Sequence, residues 1–186
     1  MSIRLTEIKG VIEFILFILK QRKGRMLVDS LHEILYAAEK RHLLLWADTI
    51  FEEPFSATKD GPRLEILMKV MNHKEKDPEI EKMFHEALAF SGGFVMAQRE
   101  PDMGYLSVAE KEDAIDALRT YGQKNPKDSA WMKAYKTACD MRIDFWRIST
   151  IEMARAAGCE KGSLEYIKEN ISLKKWQKGK ESEQEP

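Results

Sequence analysis

The chain carries four histidines, His32, His42, His73 and His85, and two cysteines, Cys139 and Cys159, the side chains best suited to hold a metal or move a proton. His32-Glu33 and His85-Glu86 begin the HExxH pattern that sets two imidazoles on one helix face. Tyr36 and Ala89 stand where the second histidine is required. Neither cysteine belongs to a CxxC pair or lies near a histidine in sequence, so no zinc-ligand spacing is present. There is no GxSxG, GxGxxG or phosphate loop, and Gly92-Gly93 lacks the Lys-Ser/Thr that would complete a phosphate cradle. Glu52-Glu53 and the Glu110, Glu112, Asp113 group fall on loops or helix starts, where acidic groups favour the helix dipole. These spacings predict no catalytic residues, no cofactor and no metal, and function is read as binding. An unrecognised enzyme built from scattered residues is one alternative.

Composition narrows the binding classes. The 186 residues hold 30 Lys and Arg against 31 Asp and Glu, for a formal net charge of −1. Phosphate neutralisation needs a clustered basic excess, so nucleic acid is disfavoured as a partner. A chain of this length buries roughly 70% of its unfolded surface and needs neither disulfides nor metal to fold. The isolated cysteines fit a reduced cytoplasmic setting as small buried groups, with a bridge between them the minor alternative. Val11 to Leu19 (VIEFILFIL) is too short for a membrane span and holds Glu13, which predicts a buried first helix and no membrane partner.

Periodicity predicts a mainly α fold: a multi-helix domain over residues 1–173 with one or two short β-hairpin elements, then a disordered tail over 174–186. Thr6 is read as the cap of a helix to about Lys20. A second helix spans about Met26 to Leu45, with Leu27, Leu31, Ile34, Leu35 and Ala38 on its core face, packed against the first. Thr49 to Phe51 and Phe55 to Ala57 are β-compatible, and Asp60-Gly61-Pro62 marks a turn. Helical spacing resumes over Arg63 to Asn72, and Asp77-Pro78 starts another helix that Ser91-Gly92-Gly93 breaks. Phe94 to Ala97 and Gly104 to Leu106 suggest a second hairpin. Ser107/Glu110 and Ser149/Glu152 have capping-box spacing, and Asp128 or Ser129 opens a helix carrying Trp131, Tyr135, Phe145 and Trp146. Phe145 and Trp146 are assigned to the core, Trp131 and Trp176 to partial exposure. The last helix is read over Ser163 to Ile171.

The order of these pieces resembles the Panacea family, the SocA-like antitoxin domains common in prophages and bacterial toxin–antitoxin loci. LHEILYAAEKRHLL looks like the family's leucine-tyrosine-alanine helix, with Leu31, Leu35, Tyr36, Ala37 and His42 at matching places. TIFEEPFSATKDGP is similar to the family's strand, with Ala57, Lys59, Gly61 and Pro62 in the matching positions. Leu106-Ser107, Tyr121-Gly122, Trp146 and IEMARAAG extend the likeness over roughly residues 10 to 170. Two departures stand out. Family members carry a Thr-His pair ahead of the tryptophan, where this chain has no histidine between Asp140 and Trp146. Arg63 replaces the usual apolar residue after Gly-Pro.

The resemblance implies an antitoxin that binds and neutralises a cognate toxin, and SocA itself also acts as an adaptor that delivers its toxin to a Clp-type protease. The predicted partner-binding surface joins the turn at Lys59, Gly61, Pro62 and Arg63 to the flank of the second helix at Tyr36, Lys40 and His42. The rival from another class is a DNA-binding transcriptional regulator using the C-terminal helical pair in Ser149 to Leu164. Glu160, Lys161, Glu165 and Tyr166 at its second helix are a mixed set poorly suited to phosphate.

Overall fold

Val11 to Leu19 are buried without exception, Glu13 included, because a helix apolar all round is stable only inside a protein. This is the centre of the first helix in a computed structural model that describes residues 3–123 and 125–182. In chain order the elements are α1 (Ile3–Gln21), β1 (Arg25–Leu27), α2 (Val28–Trp46), β2 (Phe55–Thr58), β3 (Gly61–Leu64), α3 (Glu65–Met71) and α4 (Pro78–Ala87). They continue with β4 (Leu88–Ser91), β5 (Phe94–Ala97), a 3-10 turn at Met103–Tyr105, α5 (Val108–Thr120), α6 (Ser129–Met141), β6 (Trp146–Arg147), α7 (Thr150–Ala157) and α8 (Lys161–Ser182). Helices dominate, with two small three-stranded antiparallel sheets, which is the mainly α, minor β class predicted. No helix among the described residues is long and apolar enough to cross a membrane.

Local chemistry set several boundaries as read. Asp77 caps α4, accepting from the Glu79 and Ile80 amides, with Pro78 pre-set for the first turn. Ser107 and Glu110 form the reciprocal box that opens α5. Other boundaries moved. Thr6 lies inside α1, which begins at Ile3. Leu27 belongs to β1 and is exposed, and Arg63 and Leu64 are strand rather than helix. Thr49 to Phe51 form no strand.

The second hairpin pairs Phe94–Ala97 with Leu88–Ser91, not with Gly104 to Leu106, which is the 3-10 turn. Gly92 and Gly93 have φ +57° and +78°, the left-handed pair that a two-residue turn between right-twisted strands demands. The same Gly-Gly that looked like a helix breaker is the hairpin itself. β1 adds to β5, giving the order β1-β5-β4, while the other sheet runs β3-β2-β6. Pro62 sits on an outer strand of that sheet, where its missing N–H is tolerated.

α2 finds its most extensive helix partner in α5, then α7, rather than in α1. Buried carboxylates stitch loops to this framework. Glu13 accepts from Arg99 Nη1 at 3.0 Å, Arg99 Nη2 at 2.6 Å and the Asp102 amide at 2.7 Å. Glu39 accepts from the Ile50 and Phe51 amides at 2.9 and 3.2 Å. Burial pushes the Glu39 carboxyl up to about 8, against the pull of those two amides. Burial, helped by the Arg63 charge, holds the His32 imidazole down to about 3. Its neutral Nδ1 accepts the Leu64 amide at 3.0 Å.

Candidate functional site

The regions singled out in sequence meet around Asp128 at the start of α6. Asp128 Oδ1 caps α6 by accepting from the Ala130 and Trp131 amides, both at 3.0 Å. The same carboxylate accepts from the Tyr36 hydroxyl at 3.1 Å and from Lys40 Nζ at 2.5 Å. One position away, Lys127 Nζ donates to the Lys59 carbonyl at 2.9 Å, and Trp131 Nε1 donates to the Thr58 carbonyl at 3.1 Å. The β2–β3 turn and the α2 flank are thus brought to one place, the start of α6.

Their roles there differ from the predicted surface. Tyr36 is fully buried, and burial together with Asp128 pushes its phenol up, so it serves as a core hydrogen-bond donor. His42 is buried with Nδ1 at 2.8 Å from Asp113 Oδ2, beside Arg41 Nε at 2.8 Å from Oδ1. Arg63 is buried and donates through Nη2 to Asp29 at 2.8 Å. Gly61 and Pro62 are buried strand residues, and the φ of +131° at Gly61 is one that L side chains rarely adopt. Lys40 is half-buried, and Lys59 is exposed. Six of the seven predicted residues therefore lie partly or wholly within the fold. The α2 flank does border a cleft of about 310 Å³, lined by Tyr36, Lys40, Leu44, Tyr121, Asn125 and Ala156 among others.

A second surface was missed. α6 ends at Met141, where Arg142 turns left-handed at φ +56°, and the stripe carrying Trp131, Ala134 and Ala138 is broken. Phe145 and Trp146, assigned to the core, are therefore on the outside: Ile143, Phe145 and Trp146 are 44%, 47% and 40% exposed. Together with Arg142, Asp144 and Arg147 they line an open apolar groove. Trp131, expected to be partly exposed, is buried instead and stacks on Tyr135 at 4.7 Å. The alternation Arg142-Ile143-Asp144-Phe145 was the available signal, since period two argues for extended chain.

β6 is held firmly. Ala57 pairs with Trp146 and Ser56 with Arg147, and the Ile148 amide donates to the Phe55 carbonyl at 2.7 Å. Buried Glu65 accepts from Arg147 Nε and Nη2 at 2.9 Å each and from the Ser56 hydroxyl at 2.5 Å. That contact raises the Arg147 guanidinium above its usual value. The exposed apolar segment thus rests on a rigid base.

The C-terminal helical pair is present, with Gly158 closing α7 at φ +100°, and Met153, Ala154 and Ile167 tie it into the core. Ser149 makes no side-chain cap, and the Glu152 carboxylate bonds Lys133 and Arg155 rather than reaching back to it. α8 continues past the expected boundary at 174. Lys174 Nζ contacts Asp48 at 2.9 Å and Glu52 at 2.6 Å, and of the expected disordered tail only residues 183–186 lie outside the described chain. Burial works against this Lys174 charge, but the two carboxylates outweigh it and raise its pKa. Trp176 is exposed as read. Cys139 is exposed rather than buried, Cys159 donates to the Leu43 carbonyl at 3.3 Å, and both are free thiols.

Comparison with family models, curated proteins and solved structures returned no match for this chain.

Proposed function

We propose that this protein is an antitoxin-like binding domain of the cytoplasm that neutralises a cognate toxin by covering it. The observation that carries the reading is the 143–146 segment, where half-exposed Phe145 leads directly into half-exposed Trp146 on a strand pinned to the core. Aromatic residues on a rigid support are the usual anchors of protein interfaces, because they offer apolar area at small entropic loss. Full burial of each half-exposed ring would contribute about 2 kcal/mol. β6 is also an outer strand of its sheet, a position where an extended partner segment adds by backbone pairing. The toxin class of the partner rests on the SocA-like resemblance, and delivery to a Clp-type protease is the adaptor form of the same activity.

The test is genetic and physical together. The gene adjacent to this one is expressed alone, with this chain, and with its Phe145→Ser, Trp146→Ser variant. Growth arrest relieved by the parent chain but not by a variant of unchanged melting temperature is the expected result. Equal rescue by the variant, or the lack of a toxic neighbour, refutes the reading.

A further inference from the structure

His73, Glu81 and His85 meet where the connection after α3 returns onto α4. His73 takes a left-handed backbone, φ +51°, just past the end of α3, and its amide donates to the Val70 carbonyl at 3.1 Å. Glu81 and His85 lie one turn apart on α4, so both project from the same face. Glu81 Oε1 is 3.0 Å from His73 Nδ1 and 3.8 Å from His85 Nε2. The two imidazoles stack at 5.7 Å with 21° between their planes, and His85 packs edge-on against Phe90. One donor atom from each of the three residues lies within 4.8 Å of the other two.

We propose that His73, Glu81 and His85 bind one divalent transition-metal ion of the zinc class. Two imidazoles and a carboxylate are a recurrent donor set for such ions, with a fourth position left to water or a partner's side chain. Bonds of about 2.0–2.1 Å in a tetrahedral site place donors roughly 3.3 Å apart. The Glu81 contacts already bracket that separation, and rotation of the exposed His73 and His85 side chains closes the remaining gap. Magnesium and calcium prefer oxygen donors and are not suited to this set. Bound metal would fasten the 72–77 connection to α4, joining a stacked pair of rings that otherwise share one carboxylate. The spacing of 8 and 12 residues explains why no ligand motif was visible in sequence.

The experiment uses the full chain, free of any affinity tag and stripped with chelator. Zinc chloride is titrated by calorimetry and against a chromogenic chelator, with magnesium chloride as control. One equivalent of zinc should bind, with affinity at least about tenfold weaker in His73→Ala and in His85→Ala. In the unmodified chain, zinc should shift the His73 and His85 ring resonances while leaving His32 unmoved, a readout independent of how the variants fold. Equal zinc affinity in the parent and the double variant, or ring signals indifferent to zinc, overturns the proposal.

Discussion

Arg147 and Glu65, 82 residues apart, meet through two parallel hydrogen bonds, and this pair ties β6, the strand at the end of the exposed 143–146 segment, to the core. Glu65 is almost wholly buried, with its side chain 6% exposed, whereas the Arg147 side chain is 66% exposed. Arg147→Ala would leave a buried carboxylate with Ser56 as its remaining donor in this network. The expected loss is about 1–3 kcal/mol, below that of a fully buried pair because solvent screens the guanidinium side. Denaturant unfolding measures the cost, and faster amide exchange at Ile148 should accompany it. Unchanged stability and exchange would show that β6 is held by its backbone bonds alone.

The buried titratable groups give opposite pH signatures. Glu39 has its pKa raised from 4.5 to about 8, so the folded chain holds a proton there that the unfolded chain releases. Its contribution is complete below 4.5 and is lost as pH rises toward 8, at up to about 1.4 kcal/mol per pH unit. His32 is lowered from 6.5 to about 3, so its contribution is present above 6.5 and falls away with acid toward 3. Between 4.5 and 6.5 the two trends oppose one another. Glu39→Gln should remove the decline between pH 6.5 and 8 while keeping an oxygen for the Ile50 and Phe51 amides. Unfolding curves across that range check it, and an equally steep decline in the variant would place its source elsewhere.

Asp128 serves three partners at once, the α6 amides, Tyr36 and Lys40. Asp128→Ala removes a helix cap worth about 1 kcal/mol and leaves the buried Tyr36 hydroxyl without this acceptor, a further 1–3 kcal/mol. Tyr36→Phe removes the hydroxyl together with its need for a partner, and should cost less. Denaturation midpoints of the two variants compare these costs. A Tyr36→Phe loss equal to that of Asp128→Ala would mean that the cap and Lys40 contribute nothing.

How far the site was legible depended on distance along the chain. The α2 flank and the Ala57 to Arg63 turn were read as one surface, and the start of α6 joins them, through Asp128 on the α2 side and through Lys127 and Trp131 on the turn side. Their burial was invisible, because Tyr36 is satisfied from 92 residues away and Arg63 from 34. The exposed aromatics were misread for the complementary reason: a helical stripe was continued across Arg142, whose left-handed turn ends it.

The amino-acid order by itself determined the helical class, the burial of α1, and the starts of α4, α5 and α6. Each of these rests on interactions within a few residues, through apolar period or a capping side chain such as Asp77, Ser107 or Asp128. Only the tertiary structure decided which polar groups became internal partners, which aromatic rings faced outward, and which histidines met. Those outcomes depend on segments joined across the fold, and local spacing carries no record of which distant side chain will arrive to complete a bond.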